Sequence, residues 1–172
     1  MSYSSIVSQS NNLGNFFLTI LCYWLKYQWN FCIVSWQINS CPLDRDLCFI
    51  VLENIPTAPT DIEVDPVNGF LYYSLYGASR GLYRIDLDSI SRKSIPKIKH
   101  IITADKMLSF VLDFDNVRIY YVDEEQGSMN SSFLDGSDRV RFRTNVANPH
   151  YRGGESLAYC NKVGSSFVSY FL

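Results

Sequence analysis

Residues 62–73 recur 48 positions further along without a gap. Ile62-Glu63-Val64-Asp65-Pro66-Val67-Asn68-Gly69-Phe70-Leu71-Tyr72-Tyr73 aligns with Phe110-Val111-Leu112-Asp113-Phe114-Asp115-Asn116-Val117-Arg118-Ile119-Tyr120-Tyr121. Each copy reads as an apolar strand, an Asp, a turn containing Asn, and a second strand that ends in Tyr-Tyr. Each then reaches a Leu-Asp turn, Leu87-Asp88-Ser89 in the first and Leu134-Asp135-Gly136-Ser137 in the second. A fixed period of this size marks a repeat architecture. A single repeat cannot bury both of its apolar faces, so each unit depends on its neighbours.

Strand periodicity fills the repeats. In Asp61-Ile62-Glu63-Val64-Asp65 the apolar residues alternate strictly, which places Ile62 and Val64 on one face. Pro66-Val67-Asn68-Gly69 is a turn: Pro fixes φ, and Asn-Gly tolerates positive φ. Strands are predicted at 70–75, from Gly81, and at 97–102. In the second copy they are predicted at 110–113, 118–123, 128–134 and 139–144. Cys48 to Leu52 is a continuous apolar run, as in a buried strand. Four short meandering strands per unit make one blade of a β-propeller. The expected blades cover about 48–103 and 104–150. A third opens at 154–163, and residues 164–172 match nothing in the repeat. Two blades and a stub leave apolar faces bare, so the chain is expected to be a marginally stable fragment.

The wording DPVNGFLYYS…GLYRIDLDS and DFDNVRIYYVD…SSFLDGSD resembles the LDL-receptor class B, or YWTD, repeats. The longer stretch VLENIPTAPTDIEVDPVNGFLYYSLYGASRGLYRIDL is similar to the propellers in the ectodomain of Ros/Sevenless-type receptor tyrosine kinases. The family tetrad appears as Tyr72-Tyr73-Ser74-Leu75 and Tyr120-Tyr121-Val122-Asp123, with Tyr in place of Trp and no terminal Asp in the first copy. The resemblance spans about 48–162. It implies an all-β fold, about two blades of a six-bladed YWTD-type propeller, on the extracellular side of the plasma membrane. It further implies a protein ligand or neighbouring ectodomain modules as partners, no cofactor, and membrane attachment only through the parent receptor. Asp65, Asn68, Tyr72, Tyr73, Asp113, Asn116, Tyr120, Tyr121 and Asp123 become structural motif positions.

Charge divides the chain. Residues 1–40 hold one charged side chain, Lys26, and all 17 acidic residues lie from Asp44 onward. Residues 1–47 are a hydrophobic, low-charge segment. The run from Phe16 to Leu25 is half the roughly 20 residues that a membrane helix needs. It lacks the positive flank of a signal peptide. Three readings stay open: a signal-anchor, a buried part of the domain, or an aberrant start foreign to it. Five cysteines show no C-x-x-C spacing, which disfavours structural zinc. Cys41 and Cys48 either form a small disulfide loop or stay as ordinary thiols.

Catalytic patterns are sparse. A net charge of −2 gives no reason to expect nucleic acid. No G-x-S-x-G occurs, and no kinase phosphate loop or catalytic loop occurs either. Asp65 and Asp113 recur at one repeat position, which favours turn-capping over catalysis. Arg139, Arg141 and Arg143 form a basic stripe suited to an acidic ligand or sulfated sugar; a solvated strand face outweighs that reading. Asn130-Ser131-Ser132 fits the N-glycosylation pattern. The leading expectation is therefore the ligand-binding or spacer part of a cell-surface receptor, without enzymatic activity of its own. The rivals are a metal-dependent six-bladed propeller hydrolase and a truncated product with no independent function.

Overall fold

The computed structural model describes residues 29–34, 36–42, 48–91, 95–123 and 125–144, with further strands at 5–6, 20–24, 155–160 and 165–170. Its strands form successive antiparallel sheets, each in sequence order. The first holds β1 (Ser5–Ile6), β2 (Ile20–Trp24), β3 (Trp29–Val34), β4 (Gln37–Pro42) and β5 (Phe49–Leu52). The second holds β6 (Asp61–Asp65), β7 (Phe70–Leu75), β8 (Gly81–Asp86) and β9 (Ile98–Ile102). The third holds β10 (Met107–Asp113), β11 (Arg118–Asp123), β12 (Ser128–Phe133) and β13 (Val140–Thr144). Strands β14 (Glu155–Cys160) and β15 (Ser165–Tyr170) pair with each other, and β14 lies against β10.

The sequence repeat is a repeat of register. Asp65 faces Phe70 across the first hairpin and Asp113 faces Arg118 across the second, 48 residues on. The outermost strand of each four-stranded sheet is offset by a register shift at matching places, between Leu82 and Tyr83 and between Met129 and Asn130.

Strand β7 of the middle sheet is buried on both faces, because successive residues of a strand point to opposite sides. On β7 every residue from Leu71 to Leu75 is buried. Leu71, Tyr73 and Leu75 pack with Ile62, Ile85 and Leu87 against Phe31, Ile33, Ile38 and Val51 of the preceding sheet and Ile55 just beyond it. Tyr72, Leu82 and Ile102 pack the other way, against Met107, Phe110, Leu112, Ile119, Tyr121 and Leu134. Each large side chain buried in this way contributes about 1.5–3 kcal/mol, which holds sheet to sheet.

Two placements differ from the sequence reading of the strands. Cys48 to Leu52 reads as the opening of the first unit, yet β5 pairs with β4 and closes the preceding sheet. Phe31, Ile33 and Ile38 lie within the low-charge head, yet they supply the core that covers the inner face of β7. The polar break at Lys26, Gln28 and Asn30 separates two runs that pair as strands, with Cys22 opposite Phe31. Among the described residues no helix is long and apolar enough to cross a membrane.

The hairpin turns of the two copies differ at one equivalent position. Gly69 takes φ 72°, and its counterpart Val117 takes φ 57°. A β-branched residue in the left-handed region is strained by about 1–2 kcal/mol. Val117 is exposed, so removing its side chain sacrifices little packing. Val117→Gly is therefore expected to stabilise the chain by up to about 1 kcal/mol, the strain relief being partly offset by the added freedom of the unfolded chain. A rise in the urea midpoint at unchanged slope is the readout, and a fall would contradict the strain argument.

Candidate interface between the repeat units

The motif residues divide into turn caps and inter-sheet anchors. Asp65 is fully buried, and its Oδ1 accepts from the backbone N–H groups of Val67 and Asn68, each at 3.0 Å. Its Oδ2 accepts from Asn68 Nδ2 at 2.7 Å. Asp113 repeats the pattern with Asp115 N and Asn116 N at 3.1 Å and Asn116 Nδ2 at 2.7 Å. All four side chains serve the turn, as the sequence suggests for an Asp that recurs.

The paired tyrosines face opposite neighbours. Tyr72 points toward the third sheet, where its hydroxyl donates to the Leu134 carbonyl at 3.2 Å. Tyr73 points toward the first sheet and stacks on Tyr83 at 5.4 Å, which in turn stacks on His100 at 4.6 Å. Burial pushes the phenol pKa of both tyrosines upward. In the second copy Tyr121 faces back into the core shared with the middle sheet, and Tyr120 packs beside Val111, Val122 and Met129 on the far side. Asp123 is buried and accepts from Asp105 N at 3.2 Å, Lys106 N at 3.3 Å and Gln126 N at 3.4 Å, fixing the chain that enters β10. The first copy has Leu75 at that place, buried in the first core.

Sequence reasoning missed Asp61 and Glu63. Both lie on β6 and reach β10, the edge strand of the next sheet. Asp61 Oδ2 accepts from Ser109 Oγ at 2.8 Å and Phe110 N at 3.2 Å. Glu63 Oε2 accepts from Leu112 N at 2.9 Å. An edge strand leaves backbone N–H groups unpaired, and these carboxylates satisfy two of them. Their sign in the sequence was the pair of acidic residues alternating with Ile62 and Val64. Nothing in that pattern said which partner they meet.

Desolvation raises the Asp61 pKa to about 6, against the lowering effect of its hydrogen bonds. Glu63 is pushed well above its ordinary value by desolvation and then by the Asp61 charge. Both side chains are half-buried by surface area, so solvent screens part of this effect. The folded-state value of Asp61 exceeds the unfolded one, so the folded chain binds this proton more tightly. That contribution is complete below about pH 4 and is lost as pH rises through 6. Asp61→Asn is expected to gain about 1 kcal/mol at pH 7 relative to the parent, and nothing at pH 4. Urea titrations at the two pH values read this difference directly. An equal effect at both would refute it.

Asn130 is buried on β12, and its Nδ2 donates to Ser128 O at 3.3 Å and to Ser128 Oγ at 2.9 Å. That nitrogen, the acceptor atom of the glycosylation pattern, is thus engaged within the sheet. Cys41 and Cys48 are joined as a disulfide, with Cα atoms 4.2 Å apart. Cys32 is a buried free thiol 3.7 Å from Cys41 Sγ, and burial pushes its pKa up. Among the described residues no group of three or more His, Cys, Asp or Glu side chains is placed to hold a metal ion.

No protein-family model matches the chain. Among curated proteins it is 27% identical over 130 residues to the proto-oncogene tyrosine-protein kinase ROS of Gallus gallus. That stretch is 72% of this chain and 5% of the relative, so the chain spans a small part of that protein. Over it the two are distant homologues. Among solved structures, a chain of the nidogen/laminin complex matches with a TM-score of 0.64 at 12% identity, over 82% of this chain and 52% of the other. An auxiliary nutrient binding protein from Bacteroides thetaiotaomicron matches with a TM-score of 0.70 at 8% identity, over 87% and 35%. The luciferin-regenerating enzyme matches with a TM-score of 0.62 at 15% identity, over 88% and 55%. These identities speak to fold alone: an all-β array that matches parts of six-bladed propellers.

Proposed function

We propose that this chain, a distant relative of ROS with a propeller-type β fold, is a ligand-binding or spacer portion of the ectodomain of a receptor of the tyrosine kinase type. The observation that carries the reading is the 130-residue alignment with ROS, which covers both copies of the repeat. The kinase motifs are absent from this sequence, so in this reading the catalytic domain belongs to another part of the parent receptor and this portion serves binding or spacing. The Cys41–Cys48 disulfide suits an oxidising, extracellular setting. A fold match within a nidogen/laminin complex is in keeping with protein partners. Ligand contacts fall on the loops that join the strands, because loops vary without disturbing the sheets. Among these are residues 76–80 and 124–127.

The test is the size and compartment of the native product, by immunoprecipitation with an antibody to residues 60–100 and mass analysis. A large, glycosylated species in the membrane fraction is expected. A soluble species near 19.8 kDa would overturn the receptor reading.

A further inference from the structure

Arg139, just ahead of β13, and Arg141 on it face a second pair of cations across the outer cleft between the middle and third sheets. Arg139 reaches over this cleft: its Nη2 donates to the Ile101 carbonyl of β9 at 3.2 Å and its Nε to Gly136 O at 3.2 Å. Arg141 is the cross-strand partner of Asn130, and Asn130 of Tyr121, so it shares the face turned to the middle sheet, where it contacts the Gln126 side chain. Both arginines act on Tyr121, which belongs to the core between these two sheets. On the opposite wall Arg84 lies 3.9 Å over the Phe70 ring and 6.0 Å from that of Tyr72. Lys99 is the cross-strand partner of Arg84, so the two share a face. Lys99 is exposed, and after the Ser137 hydrogen bonds its charge also helps hold Asp135, a carboxylate on the facing turn, below its ordinary pKa. Asp86, also on this face, accepts from Asp88 N at 3.0 Å. Four cations thus meet two carboxylates, Asp86 and Asp135, and both are engaged in local turns, Asp135 with Ser137 N at 2.9 Å and Ser137 Oγ at 2.6 Å. The side chain of Arg143 lies outside the described residues.

We propose that this cleft binds a sulfated oligosaccharide through Arg84, Lys99, Arg139 and Arg141. Arginine forks match the planar oxygens of a sulfate group, and charge-assisted bonds there are strong. The cations stand as two pairs on two walls, which suits a chain with anionic groups at intervals rather than one compact anion. Apolar neighbours Ile98 and Val140 alternate with the cations and so point away from the cleft. An acidic protein partner would need an apolar anchor beside its ion pairs, and on this face the Phe70 ring already lies beneath the Arg84 guanidinium. The inference goes beyond the receptor reading and does not depend on it, since binding is measured on purified protein.

The probe is heparin, with its desulfated form as control, titrated against the full chain at about 0.15 M salt. Binding is expected to need sulfate and to weaken steeply with added salt. Lys99→Gln, Arg139→Gln and Arg141→Gln together are expected to lower affinity roughly tenfold or more. Because Arg139 also holds Ile101, the double variant Lys99→Gln/Arg141→Gln is the cleaner case, with a smaller loss in the same direction. Arg80→Gln, a cation paired with Asp105 at 3.1 Å, is expected to leave affinity unchanged. No binding at this salt, full affinity in a natively folded double variant, or equal binding of polyglutamate would each overturn the proposal.

Discussion

Gly136→Ala is expected to destabilise the chain by about 3–4 kcal/mol and to separate the third sheet from the second. Gly136 sits at φ 88°, and a Cβ there would lie 2.2 Å from the Ile101 carbonyl oxygen and 3.0 Å from the carbonyl carbon. The obstacle is backbone of the neighbouring sheet, so no rotamer change can relieve it. The same turn supplies the Leu134 carbonyl to Tyr72 and positions Arg139 on Ile101. Moving it away loses those bonds together with the close approach.

Gly69→Ala is the internal control. Gly69 has φ 72° but nothing within 4 Å of the added carbon, so only the conformational strain of about 1–2 kcal/mol applies. Thermal melts are expected to fall by about 10 °C for the first variant and by a few degrees for the second. Hydrogen exchange in β7, β9 and β11 is expected to accelerate selectively in Gly136→Ala. Equal effects of the two substitutions would show that the clash with Ile101 does not govern the interface.

The contrast between these glycines shows what a one-dimensional pattern conveys. Local periodicity and turn chemistry located the hairpins, because Ile62 with Val64 and Asn68 with Gly69 act within a few residues of one another. The 48-residue period located the repeat, because equivalent register produces equivalent motifs. Partners across a sheet interface leave no such trace. Asp61 meets Ser109 and Phe110, and Gly136 meets Ile101, only because the sheets stack. The same limit explains the head. Phe31 and Ile33 alternate as strand residues, but their burial depends on Leu71 and Leu87, whose positions the sequence reading could not set against them. The second wall of the cationic cleft was hidden for the same reason, since Lys99 lies on β9 and Arg139 just ahead of β13, at the outer edges of different sheets.

Asp65→Ala and Asp113→Ala are each expected to cost about 3 kcal/mol, nearly equal to each other. Each aspartate is essentially fully buried and accepts two backbone N–H bonds and one Asn amide bond. Alanine removes three hydrogen bonds to one carboxylate at once, each contributing about 1 kcal/mol. Asparagine keeps one oxygen for the two backbone donors, and Asn68 or Asn116 can turn its amide oxygen toward the new NH2 group. The Asn variants are therefore expected to retain most of the stability, with losses of about 1 kcal/mol. A metal-binding or acid–base role makes the opposite forecast: Asn would be as damaging as Ala, the two sites would be unequal, and divalent metal would stabilise only the parent. Paired urea curves for the four variants, with and without added calcium, decide between the two. Equal losses at both positions, insensitive to metal, would identify the repeated Asp–Asn pair as a device that closes each hairpin, one copy per unit.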